Sequence, residues 1–126
     1  MIRVPGPGRV ELRLMDGSVN PYLLQAGIIA TGLDGIEKKR NPGKPVYLNM
    51  YEESHKAKDA KKLPQTLEQS LAHLDDNQIM KSAFGKQVID SYIKLKNIEI
   101  KNYKSSEGSY NSNVITKWEK DNTLDC

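Results

Sequence analysis

Arg9-Val10-Glu11-Leu12-Arg13-Leu14-Met15 alternates charged and apolar residues. A period of two is the mark of a strand with one buried face. Val10, Leu12 and Leu14 fall on the apolar side of that strand; Arg9, Glu11 and Arg13 fall on the other. Ahead of it stands Pro5-Gly6-Pro7-Gly8, a turn in which prolines fix φ and glycines accept positive φ. Behind it, Asp16-Gly17-Ser18-Val19-Asn20-Pro21 turns into a helix, with Asn20 as N-cap and Pro21 at the first helical position. The helix is expected over residues 21–36 and is apolar nearly all round, as helices inside a larger body are. Gly27, Gly32 and Gly35 lower its intrinsic propensity and fit a helix that another element approaches closely. Glu37-Lys38-Lys39-Arg40 reads as its solvated end, and Asn41-Pro42-Gly43 as its stop.

Downstream, the pattern turns helical. A loop with an exposed lysine-rich stretch at residues 56–62 leads to Thr66-Leu67-Glu68-Gln69, which has the form of a capping box. The helix after it carries Leu67, Leu71 and Leu74 on one face. A second short helix holds Ile79, Met80, Ala83 and Phe84 and closes at Gly85. Val88, Ile89, Tyr92, Ile93 and Leu95 have helical spacing, which predicts a longer helix from about residue 86 towards 103. Residues 105–113 are rich in Ser, Asn and Gly and read as a loop, and residues 114–120, with Trp118, as a last helical turn or two. The fold class is therefore α+β and mostly helical, with one or two strands followed by several helices. Only one strand is evident from periodicity, and a lone strand cannot satisfy its own backbone groups. Such a strand pairs with another chain or belongs to a longer protein.

The bulk numbers agree with a piece of a larger body. The chain has 126 residues, 37% of them hydrophobic, and small domains bury a low fraction of their surface. Nineteen Lys+Arg against 16 Asp+Glu leave a net charge of +3, too little for a nucleic-acid binder by overall charge. No apolar run approaches the ~18 residues of a membrane span. Cys126 alone builds neither a disulfide framework nor a zinc site. These features read as a soluble protein of a reducing compartment, with neither nucleic acid nor membrane as partner.

The cluster richest in chemistry is the charged strand face. Residues two apart on a strand sit roughly 6.6 Å from one another on one side, so Arg9, Glu11 and Arg13 share a surface, and Arg3, just before the turn, can reach it. Guanidiniums grip phosphate or carboxylate in a bidentate fashion, and a carboxylate takes a hard cation such as Mg²⁺. The ordinary alternative is a solvent-facing strand whose charges pair across a sheet. His55 and His73 lack metal-ligand spacing and read as surface residues, and Tyr51 reads as an amphipathic cover for its loop or as a modification site.

Four stretches in order, Ile2-Arg3-Val4-Pro5, Arg9-Val10-Glu11-Leu12-Arg13, Asn20-Pro21-Tyr22-Leu23 and Ala30-Thr31-Gly32-Leu33-Asp34-Gly35-Ile36, resemble successive motifs of the glutamine synthetase family, from its C-terminal catalytic part. The likeness is specific across residues 2–53 and rests mainly on helical pattern from 64 to 104. It implies a C-terminal piece of the catalytic domain over residues 1–104, followed by a loop and short helical tail over 105–126. It also implies a cytoplasmic, homo-oligomeric, ATP-dependent glutamate–ammonia ligase working through γ-glutamyl phosphate with Mg²⁺ or Mn²⁺. On this resemblance Arg3 and Arg9 contact ATP and the transferred phosphate, Glu11 binds a metal at the nucleotide, and Arg13 holds the glutamate or the phosphoryl group. Tyr51 matches the tyrosine that some bacterial members adenylylate, although the residues around it depart from the family motif.

The family's N-terminal domain, most barrel strands, other metal-binding glutamates and ammonia-site loop have no counterpart here. The tail from 105 also differs from the helical tail of type I members. The isolated chain is therefore expected to be inactive. A different class of function is a truncated paralogue that docks on full-length subunits through its strand and apolar helix. A third is a nucleotide- or polyphosphate-binding module using the arginines.

Overall fold

The computed structural model describes residues 2–15, 17–57, 60–109 and 113–123. Cys126 lies outside them. The order of elements is two strands, β1 (Ile2–Gly6) and β2 (Arg9–Leu12), then α1 (Pro21–Glu37), a 3-10 turn (Ser54–Lys56), α2 (Leu67–Asp75), α3 (Gln78–Phe84), α4 (Lys86–Glu107) and α5 (Lys117–Thr123). The architecture is α+β and mostly helical.

The strand at Arg9 is not alone. β1 and β2 form an antiparallel hairpin, with Ile2 opposite Leu12, Arg3 opposite Glu11 and Gly6 opposite Arg9. The expectation of an unpaired strand is corrected by this ladder. Pro7-Gly8 makes the tight reversal, and Gly8 takes a φ of 70° there. The register slips by one residue between Arg3 and Gly6, where Pro5 offers no N–H to the ladder. β2 ends at Leu12, so Arg13, Leu14 and Met15 continue beyond the paired segment. The expected burial of Val10, Leu12 and Leu14 is also corrected. Val10 is 66% exposed, Leu14 is exposed and Leu12 is half-buried, because no described element lies over that face to cover it.

Asn20 caps α1 as its chemistry requires: Oδ1 accepts from Tyr22 N at 3.0 Å and Leu23 N at 3.1 Å. The helix ends before Asn41-Pro42-Gly43 reaches it. Lys39 adopts a left-handed φ of 48°, Arg40 N donates to Gly35 O (2.9 Å) and Lys39 N to Ile36 O (3.1 Å), which is a Schellman ending with lysine where glycine is usual. Thr66 caps α2 by accepting from Gln69 N at 3.3 Å, while Gln69 Oε1 reaches back to Gln65 N at 2.8 Å, one residue before the expected partner.

Gly85 closes α3 and opens α4 in one residue at φ 83° and ψ 141°. α4 extends to Glu107, so residues 105–107, expected as loop, are helical; Ser105 Oγ donates to Lys101 O at 2.9 Å instead of competing for a turn.

α1 packs on α3, α2 and α3 pack on α4, and α5 leans on the end of α4. A Cβ on Gly27 would lie 3.6 Å from Met80 Cε, so this glycine does sit at a close helix approach; Gly32 and Gly35 face open space. Leu71 and Ile89, each 5% exposed, are the buried apolar residues among those described. Leu71 lies on α2 and Ile89 on α4, and these helices pack on one another. α5 is anchored by an edge-to-face contact between Trp118 and Tyr103, with centroids 5.5 Å apart, and by Trp118 N donating to Glu107 Oε1 at 2.8 Å.

Candidate functional site

The hairpin does what strand periodicity alone could only sketch. Arg9 and Glu11 lie two apart on β2 and Arg13 two further on, so all three share a face. Arg3 lies directly across the ladder from Glu11 and joins the same face from β1. Arg9 Nη2 donates to Glu11 Oε1 at 3.0 Å. Glu11 Oε2 accepts from Arg13 Nη2 at 2.9 Å, Arg13 Nε at 3.3 Å and Arg3 Nη1 at 3.3 Å. The structure thus brings together four of the five residues singled out from sequence.

The electrostatics follow from that geometry. The Arg13 guanidinium holds the Glu11 carboxyl below its ordinary value; partial desolvation pushes the other way, and Arg3 adds to the lowering. The glutamate side chain is 24% exposed, while its three arginines are all more than half exposed. Three cations around one anion leave a net charge of about +2 on an open face. Such a surface suits a phosphate chain or a carboxylate, which arginine meets with paired N–H donors.

Glu11 offers one carboxylate. Among the described residues no group of three or more His, Cys, Asp or Glu side chains is placed to hold a metal ion. Mg²⁺ is commonly held by one or two carboxylates together with substrate phosphates and waters. The donor set here fits that mode, with Glu11 as the protein ligand and the arginines on the phosphates. It does not fit a cation held by this chain alone.

Tyr51 stands apart from the cluster by sequence and by exposure. Its side chain is 95% exposed, so the reading of a ring covering its loop is corrected; its backbone N donates to Asn49 Oδ1 at 3.2 Å, tying the turn beneath it. Both histidines are exposed, as expected.

Sequence reading missed Asp34. The charged stretch 37–40 is partly engaged: Arg40 Nε donates to Asp34 Oδ2 at 2.6 Å and Lys38 Nζ pairs with Asp34 Oδ1 at 2.5 Å. The carboxylate is only 11% exposed and lies below its ordinary pKa, first through the Lys38 hydrogen bond and then through Arg40. The i,i+4 spacing of Asp34 and Lys38 was the available signal.

Comparison with known proteins gives a consistent result. Residues 1–115 match the family described as glutamine synthetase, catalytic domain. A glutamine synthetase of Rhizobium leguminosarum bv. phaseoli is 48% identical over 125 residues, which are 99% of this chain and 27% of that protein. A glutamine synthetase of Rhizobium meliloti (strain 1021) is 46% identical over the same share of each. A glutamate–methylamine ligase of Methyloversatilis universalis is 45% identical over 102 residues, 79% of this chain and 23% of that protein. The chain therefore spans about a quarter of the length of these relatives. No solved structure matches. Among the described residues, no helix is long and apolar enough to cross a membrane.

Proposed function

The chain belongs to the glutamine synthetase family, and from that premise we propose that it carries the arginine–glutamate part of an ATP-dependent glutamate–ammonia ligase site. The observation that supports this most directly is the convergence of Arg3, Arg9 and Arg13 on Glu11 across one hairpin. In the proposed reaction ATP phosphorylates the glutamate side chain and ammonia displaces the phosphate from γ-glutamyl phosphate. Arg3 and Arg9 grip ATP and the transferred phosphoryl oxygens. Arg13 orients the glutamate or the same phosphoryl group, and Glu11 holds the divalent cation. Such catalysis rests on positioning and on positive charge fixed where negative charge spreads. A bound Mg²⁺ or Mn²⁺ supplies charge neutralisation on the phosphates. The donors are surface-anchored on a short hairpin, so the remaining walls of the site come from the part of the relatives that this chain does not span. We place the working enzyme in the cytoplasm, as a homo-oligomer, with Tyr51 as the exposed candidate for covalent modification.

The test is complementation. The chain is co-expressed with the Rhizobium leguminosarum synthetase lacking its matching 27%. The expected result is glutamine formed from glutamate, ammonium and ATP by the assembled pair, and none by the 126-residue chain alone. Methylammonium serves as the competing amine, since one relative is a glutamate–methylamine ligase. A well-assembled pair that forms no product from either amine overturns the proposal.

The exposed apolar face of α1 favours a second reading, in which the chain docks on full-length subunits and alters them. Tyr22 is 82% and Ile36 76% exposed, and an open apolar stripe of this kind marks a surface that another body covers. Recovery of the chain with an intact synthetase whose activity changes on binding supports this reading; an intact synthetase that ignores the chain removes it.

A further inference from the structure

α1 carries two stripes. On one, Gly27, Ala30 and Asp34 are half-buried, and Gly27 approaches Met80 of α3. On the other stand Tyr22, Ile29 and Ile36, each seven residues from the next. Seven residues bring a helix back to within about 20° of the same direction, so the three share one line. Ile29 lies about 200° around the helix from Gly27, on the far side from α3. These are the three most exposed apolar side chains of α1, at 82%, 61% and 76%. No charged residue occurs from Pro21 to Leu33, whereas a helix face meant for water carries charge. Gly32 sits beside the line with open space over it, so a partner helix can approach closely.

We propose that this stripe pairs with the same stripe of a second copy of the chain, antiparallel, about a two-fold axis through Ile29. The line is symmetric about that residue. With Ile29 against itself, Tyr22 faces the partner's Ile36 and Leu33 faces the partner's Ala26. An isologous contact needs such self-complementarity, and a foreign partner does not. Antiparallel packing also sets the two helix dipoles head to tail. Surface area supports a contact of this kind. The chain exposes 10830 Å², against about 6,800 Å² for a compact monomer of 14.2 kDa. The difference is several times the ~800 Å² that each partner gives to an interface of standard size. This pairing does not depend on the ligase reading of the hairpin.

Two measurements on the whole chain test the idea. In the first, sedimentation velocity is followed from about 1 to about 300 µM, the span of a modest interface. A dimer should grow in across that span. Ile29→Arg should weaken it by more than about 100-fold, since it sets two like charges against each other on the axis. Circular dichroism checks that the variant keeps its helices. A chain that stays monomeric throughout, or a dimer that a folded Ile29→Arg variant leaves intact, overturns the proposal. In the second, single-cysteine chains are oxidised in a Cys126→Ser background. Ile29→Cys should cross-link with itself, and Tyr22→Cys should cross-link with Ile36→Cys only when the two chains are mixed. Tyr22→Cys chains that cross-link with each other reveal a parallel pair and overturn the antiparallel arrangement. If Ile29→Arg fails to fold, the cross-links decide alone.

Discussion

α1 and α4 are the two long helices, and their hydrophobicity is inverted relative to their burial. α1 is apolar nearly all round, yet none of its residues is buried. α4 is studded with lysines, yet it buries Ile89 to 5% exposure. The difference lies in the partners. α4 has α2 and α3 on one side and α5 at its end, whereas α1 has α3. A helix with one neighbour can cover one stripe, so an all-round apolar helix leaves the rest open. Burial in this chain follows the elements available, and the apolarity of α1 exceeds what α3 covers among the described residues.

That contrast can be broken by substitution. Leu71→Ala or Ile89→Ala should cost about 2–4 kcal/mol, since each empties a buried position. Ile29→Thr, at a 61% exposed site on α1, should stay within about 0.5 kcal/mol in the monomeric chain. Urea unfolding followed by circular dichroism reads both. Equal losses at the two sites would mean that α1 is as well packed as α4. The same Ile29→Thr change becomes costly once the remainder of a synthetase covers α1, which would appear as weakened assembly in the complementation experiment.

The joint between α3 and α4 gives the next effect. Gly85 sits at φ 83° and ψ 141°, donates its N–H to Lys81 O at 3.0 Å and accepts from Ile89 N at 3.3 Å. A side chain there meets no neighbour but is forced into backbone space that only glycine enters freely. Gly85→Ala should therefore cost about 1–3 kcal/mol, from conformation alone. Thermal unfolding checks it. A loss under about 0.5 kcal/mol would show that the α3–α4 angle adjusts and that the α4 core does not depend on it.

What was legible in sequence divides along the same lines. Local chemistry was: Asn20, Thr66 and Gly85 set helix boundaries through their own backbone bonds, and the expected positions hold. The face of Arg9, Glu11 and Arg13 follows from period two. β1 escaped because Ile2-Arg3-Val4 is too short to show a period and Pro5 demotes a strand; its pairing is evident only once the Pro7-Gly8 reversal is seen. Burial of Val10 and Leu14 failed for a non-local reason. Periodicity tells which residues share a face and says nothing about what stands opposite. Residues 105–107 joined α4 because Ser can satisfy itself on the preceding turn, at Lys101 O, without ending a helix.

The smallest predicted effect concerns the end of α1 alone. Lys38 and Arg40 both bind Asp34, and these hydrogen bonds lower its pKa from the ordinary 3.8. A carboxyl whose folded pKa is depressed stabilises the fold fully above its unfolded value and loses that contribution as pH falls through the folded value. The Asp34 contribution should thus be constant at neutral pH and vanish only below about pH 3.8. Asp34→Asn removes it at every pH. The measurement is amide hydrogen exchange at Lys39 and Arg40, whose N–H groups close the Schellman ending on Ile36 and Gly35. Exchange should be faster in the variant near neutrality, and the two proteins should converge in acid. The stem of α1 towards Asn20, held by its own cap, should show no difference. Exchange that quickens along the whole helix would mean that α1 unfolds as one unit, with its scarce contacts to α3 too few to hold the middle once one end is released.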